Sequence, residues 1–290
     1  MSQSSRPVTR VVTPEPVVEG AGVRLRRSLG TRTLDYLDPF LLLDHFESAD
    51  RADYEAGFPY HPHRGIETVT IVRKGEIRHG DSLGHRGTIG AGDIQWMTSG
   101  SGILHEEMPQ VRAEGIAGLQ LWLNVPAREK MSPPRYRELS VARLAEAEAG
   151  EGARLRVIAG EADAGRLVGP VEGLAVAPKF VDVTLPPGSA VREAVPRGHT
   201  VFAYVDQGEV AFGAERAWAR APALVVFADG DLVEAAAGPD GGRFLLAAAR
   251  PLGEPVARYG PFVMNTRAEI EQALEDLRTG RFIRAQPRDV

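Results

Sequence analysis

Short apolar runs, each closed off by glycine or proline, dominate this chain and limit what it can fold into. The 32 glycines and 21 prolines are spread along the whole length as punctuation, not gathered in a linker. Between them lie segments of strand character at 22–27, 67–72, 119–125, 155–158, 180–185, 201–205, 224–227 and 244–248. Turn chemistry separates them: Lys74-Gly75, Gly90-Ala91-Gly92-Asp93, Pro186-Pro187-Gly188, Asp206-Gln207-Gly208 and Asp229-Gly230-Asp231. Runs this short cannot each bury the stripe of a helix, whereas they suit strands that alternate between two faces. The expected class is all-β, a sandwich or barrel.

The pattern falls into two halves. Gly75 to Gly92-Asp93 in the first has a weaker echo in Gly208 to Gly230-Asp231 in the second. The expected division is a first domain over 1–135, a linker over 136–152 and a second domain over 153–290. The Ala- and Glu-rich stretch 142–152 reads equally as a short helix or a surface linker. One helix is expected near the end. Thr266 with Glu269 three residues on makes a capping box, Ile270, Leu274 and Leu277 share a face, and Gly280 stops the run.

Composition narrows the function classes. There is no cysteine, which removes disulfides, thiolate metal sites and cysteine nucleophiles. A net charge of −5 gives no general attraction for nucleic acid, so direct nucleic-acid binding is not expected. Arg24, Arg26, Arg27 and Arg32 are read as a solvated strand edge. No stretch has the apolar length of a secretory signal or a bilayer span, so a cytoplasmic protein without a membrane partner is expected.

The chemistry is concentrated in two segments. His61 and His63 are two residues apart, so both imidazoles leave the same side of an extended chain. His105 and Glu107 repeat that spacing, while Glu106 would point the other way; a bulge after His105 would exchange the two glutamates. If the segments are neighbours, four ligands meet. Three imidazoles and a carboxylate suit Fe, Mn, Ni, Cu or Zn better than Mg or Ca, and a six-coordinate metal would keep two open positions. On spacing alone, the HxH pair could equally pack in a core or face water. Glu67, Gln95 and Gln120 are candidates for orienting the ligands. His79 and His85 read as surface-loop residues, His45 as a core or supporting group, and His199 stands alone.

At these residues the chain resembles the pirin family of the cupin superfamily. The resemblance is carried by Leu37-Asp-Pro-Phe-Leu-Leu-Leu-Asp44, His61-Pro-His-Arg-Gly-Ile-Glu-Thr-Val69, Gly92-Asp-Ile-Gln-Trp-Met-Thr98, Gly102-Ile-Leu-His-Glu-Glu-Met-Pro109, Gly118-Leu-Gln-Leu-Trp122, Pro133-Pro-Arg-Tyr136 and Glu254-Pro-Val-Ala-Arg-Tyr-Gly-Pro-Phe-Val-Met-Asn265. It implies a bicupin, two β-barrels arranged face to face with a short C-terminal helix, and one metal in the N-terminal barrel only. It also implies His61, His63, His105 and Glu107 as the ligands. The implied metal is Fe(II), with other divalent first-row metals tolerated, and Glu67 is implied not to be a ligand. The second half carries no HxH, in keeping with a metal-free barrel. Leu245-Leu-Ala-Ala-Ala-Arg250 departs from the glycines that pirins often carry there. Some pirins resemble quercetin 2,3-dioxygenases, which implies a flavonol-like aromatic substrate, O2, and Glu107 as catalytic base. Others are metal- or redox-dependent partners of transcription factors or metabolic enzymes, which is the alternative.

Overall fold

A computed structural model describes residues 3–150 and 152–284 of the chain. They form two compact units, each made of segments distant in sequence: the described residues of 15–141 with those from 252 onward, and those up to 14 with those of 142–251. This corrects the linear division at 136–152. The first strand, β1 (Val8–Val12), pairs with Ala223–Phe227 in the later unit, and the terminal helix packs in the earlier one. The cause is non-local strand pairing, which no local signal announces.

In the unit 15–141 with 252–290, the strands are β2 (Glu15–Glu19), β3 (Val23–Leu29), β4 (Phe40–Ser48), β5 (Phe58–His63), β6 (Ile66–Lys74), β7 (Glu76–Asp81), β8 (Arg86–Ile89), β9 (Ile94–Thr98), β10 (Ile103–Gln110), β11 (Ile116–Asn124) and β12 (Arg135–Leu139). A seven-stranded sheet runs β12-β9-β6-β11-β4-β3-β2 and a four-stranded sheet β5-β10-β7-β8, antiparallel throughout. Together they make a β-barrel of the cupin type. The alternation of strand side chains sends Val23, Leu25, Phe46, Val72, Ile77, Ile89 and Ile116 into one apolar cluster. That packing holds the strands which carry the histidines.

The turn joining β5 to β6 is braced from behind. Gly65 has φ +77, and a Cβ there would run into the Val263 carbonyl. Val263 N donates to the Arg64 carbonyl at 3.1 Å, and the buried Lys130 ammonium donates to the carbonyls of Gly65 and Val263, each at 2.8 Å. Arg64, 1% exposed, donates to Ser101 O at 2.7 Å and to Asp276 at 2.8 Å. Asp276 lies on α1 (Arg267–Arg278), whose Thr266–Glu269 capping box forms as expected. The buried face of α1 is Ile270, Ala273 and Asp276, whereas Leu274 and Leu277 are 36% and 37% exposed. The small Ala273 and the attraction of Asp276 to Arg64 turn the helix away from the expected leucine face.

The second unit is built on a nine-stranded antiparallel sheet that includes Thr200–Phe212 and the long Leu232–Ala249. Its interior is filled by apolar side chains, among them Val157, Val183, Phe212, Phe244, Leu246 and Ala248. Of the departure at 245–250, Leu246 and Ala248 join that filling, while Leu245, Ala247 and Ala249 are equally buried on the opposite face of the strand and Arg250 is exposed. Ala145–Ala149 is a strand paired to Ala153–Ala159, neither helix nor linker, with alanines turned inward and Glu146 and Glu148 exposed. Glu151 of that stretch lies outside the described residues.

Candidate metal centre

β5 and β10 lie side by side, and the period of two does what the spacing suggested. His105 stands opposite His61, and Ile103 opposite His63. The three rings close on one another, with centroids 4.4 Å apart for His61–His105, 4.8 Å for His61–His63 and 5.0 Å for His63–His105. Their ligating nitrogens all lie within 4.8 Å of one another. Among the described residues this is the one such cluster of His, Cys, Asp and Glu.

The Glu107 carboxylate lies outside that three-histidine cluster, and the register of β10 sets only which glutamate shares the histidines' side. Against β5 it slips between His105 and Glu107, so that Pro59 and Tyr60 together face Glu106. Against β7 it is unbroken, with His105 opposite Asp81 and Glu107 opposite His79. The bulge therefore belongs to β5, and the alternation of β10 survives: His105 and Glu107 are 0% and 3% exposed, and Glu106 is half-buried on the other side. Glu107 Oε1 accepts from Thr70 Oγ1 at 2.9 Å and Oε2 from Gln120 Nε2 at 3.1 Å. Thr70 on β6 and Gln120 on β11 face each other across the strand pair, which is why both reach the same carboxylate.

Buried nitrogens without hydrogen-bond partners are costly, of order 1–3 kcal/mol each. Both ring nitrogens of His105 are in that state, and His63 has no side-chain hydrogen-bond partner, its ring meeting only the Pro261 backbone in that role. Burial, helped by the neighbouring His61, pushes both imidazoles well below the usual histidine pKa. They are thus neutral at physiological pH with lone pairs free, the protonation state that metal coordination requires. The residues present fit a divalent metal held by His61, His63 and His105.

Around them is a cavity of about 670 Å³. Leu25, Leu42, Phe46 and Phe58 make it largely apolar, and Trp122 sets its ring edge-on to His63 at 5.1 Å between centroids. Arg27 enters the same cavity, bonded to both oxygens of Asp44 at 2.7 and 2.8 Å and to Glu19 at 2.8 Å. It is therefore not part of a solvated edge, since β2 forms the edge outside β3. Arg24 is solvated as expected, 74% exposed beside Asp53.

The three candidate orienting groups divide. Gln120 holds Glu107. Gln95, 1% exposed, donates to His79 Nδ1 at 2.6 Å, and Glu67 accepts from Trp96 Nε1 and Thr98 Oγ1, each at 2.9 Å. His79 is a correction: it is 1% exposed, stacked on Tyr136 and 5.6 Å from the His105 ring, while His85 is partly exposed and bonds Asp81 at 2.9 Å. The alternation Ile77, His79, Asp81 on β7, all buried, was the available signal. Thr70 and Trp122 were not singled out by sequence. A hydroxyl and an indole on otherwise apolar strands were the trace they left.

Comparison with known proteins agrees with this geometry. The Pirin family model matches residues 22–123 and the Pirin C-terminal cupin domain matches 180–283. A Pseudomonas aeruginosa protein provisionally named a quercetin 2,3-dioxygenase is 42% identical, over 95% of this chain and 97% of its own. A pirin-like protein of Caulobacter vibrioides is 43% identical, over 96% and 99%. The crystal structure of a quercetin 2,3-dioxygenase from Acinetobacter baumannii superposes with a TM-score of 0.86 at 33% identity, covering 96% of this chain and 99% of that one. Two consecutive domain matches and relatives that share nearly the full length place this chain in the pirin family.

Proposed function

We propose that this chain is a mononuclear non-haem dioxygenase that cleaves flavonol-type substrates with O2, with Fe(II) held by His61, His63, His105 and Glu107 and the cytoplasm as its compartment. The observation that carries the reading is the pair of buried histidines, His63 and His105, whose rings face each other beside an apolar cavity with no side-chain hydrogen-bond partner among the described residues. The names of the Pseudomonas and Acinetobacter relatives supply the substrate class.

When bound, the metal supplies Lewis acidity and a redox-active centre for O2 chemistry. The chain's own residues do the rest. The apolar wall takes the flat body of the substrate and keeps water out. Glu107 Oε2 or Oε1 takes the proton of the substrate hydroxyl, one oxygen being released from Gln120 or Thr70 as it does so. Gln120 and Thr70 fix the carboxylate's orientation in the meantime.

The test is O2 uptake and loss of quercetin absorbance by protein reconstituted anaerobically with Fe(II). Uptake in step with quercetin loss is expected. Full metal occupancy without uptake on any flavonol would overturn the dioxygenase reading and leave the metal-dependent binding partner in its place.

A further inference from the structure

One wall of the cavity holds a cation that nothing above accounts for. Arg258 comes from the hairpin of Ala257–Tyr259 and Phe262–Met264, in the segment that returns to the first unit. Its guanidinium lies over the Trp122 ring, Cζ 5.4 Å from the centroid, and Trp122 in turn abuts His63. Histidine, indole and guanidinium thus follow one another along the wall.

The charges of that wall are not equivalent. Arg27 is paired with Asp44 and Glu19 through Nε, Nη1 and Nη2, and those two carboxylates act on Arg258 only through space. Glu107 is held by Thr70 and Gln120. A guanidinium carries five N–H donors. Among the described residues, Arg258 makes one hydrogen bond, Nη1 to the Leu41 carbonyl at 3.3 Å, and no ion pair. Of the two arginines that line the cavity, it is the one without an ion-pair partner among the described residues.

We propose that Arg258 selects the substrate, binding an anionic oxygen substituent on a planar aromatic ligand whose other end lies at the histidines. The guanidinium fork matches a carboxylate, sulfonate or phenolate in its own plane, and the Trp122 face holds it in place. Trp122 lies 5.1 Å from the His63 ring and 5.4 Å from the Arg258 Cζ, so the span is at most those two steps together, within reach of a fused bicyclic ring with a substituent at each end. The assignment rests on the aromatic-substrate reading above, and it adds a charge requirement to that reading.

Two flat probes separate the contributions, 2-naphthalenesulfonate and the neutral methyl 2-naphthyl sulfone. Sulfonate and sulfone are both poor ligands for divalent metals, so the metal does not mimic the effect. Calorimetric titration of the metal-loaded protein is expected to show the sulfonate bound about tenfold more tightly. Arg258→Gln is expected to abolish that preference by weakening the sulfonate to the level of the sulfone, and Arg258→Lys to keep part of it. Equal affinities in the unmodified protein, no measurable sulfonate binding, or an unchanged preference in Arg258→Gln would each overturn the assignment. Quercetin-dependent O2 uptake is read separately. A preference lost in Arg258→Gln without uptake leaves the anion site standing and removes the dioxygenase; uptake with an unmoved preference does the reverse.

Discussion

Glu106 and Glu107 are the same residue type in adjacent positions, and only strand geometry separates them. Glu107→Gln is expected to lower metal affinity about tenfold or more and to abolish flavonol turnover, since an amide is a weaker ligand and no base. Glu106→Gln leaves occupancy nearly unchanged. Metal titration of the two variants side by side decides it, and loss of metal in the Glu106 variant alone would reverse the assignment. Gln120→Leu removes a hydrogen bond behind the carboxylate and should cost roughly 10–100-fold in metal affinity or rate. The shared side of His61 and His63 was legible in the sequence because an i, i+2 pair on a strand needs no tertiary information, whereas His105 joins them only through the pairing of β5 with β10. His79 was misread because the glycines around it suggested a loop, while the inward alternation it shares with Ile77 and Asp81 went unused.

At the scale of elements, α1 is tied by one ion pair to the turn that follows His63. Burial alone would raise the Asp276 carboxyl, but hydrogen bonds from Arg64, Gln272 and Arg284 outweigh it and hold the pKa down to about 2. Its ordinary value is 3.8, so the folded form binds its proton less readily than the unfolded chain. The stabilisation is therefore complete above about pH 4 and is lost as pH falls toward 2. Hydrogen exchange in α1 should accelerate over that window, and Asp276→Asn should flatten the change. Because that variant leaves Arg64 buried without its counter-charge, it should destabilise by about 3–5 kcal/mol in a denaturant titration. An unaltered midpoint would show that the pair contributes nothing. The helix itself was legible from its capping box. Its buried face was not, because the attraction of Asp276 to Arg64 lies more than two hundred residues away in sequence. Ala145–Ala149 escaped for a different reason: alanine and glutamate favour helices, yet pairing with Ala153–Ala159 imposes a strand.

At the scale of the molecule, the all-β class and the two halves were legible, and the assignment of the chain ends was not. Only one unit carries convergent ligands among the described residues, so elemental analysis of protein purified without a histidine tag should find about one metal per chain. Two per chain, reproducibly, would refute the single site. A chain ending at Pro251 keeps His61, His63, His105 and Glu107 but loses the carbonyl and helix that brace the turn after His63. Its metal affinity should fall about tenfold or more, measured by competition with a chelator, and full affinity would show the brace to be dispensable.

The braces behind His63 also set an order of events in biosynthesis. Val263 and Asp276 are translated some two hundred residues after the turn they secure. Until those later segments emerge from the ribosome, the histidine segments are present without their backing. The turn after His63 is therefore braced late in synthesis, and any ligand that needs those histidines held in place meets them in that form only once the later segments have folded back.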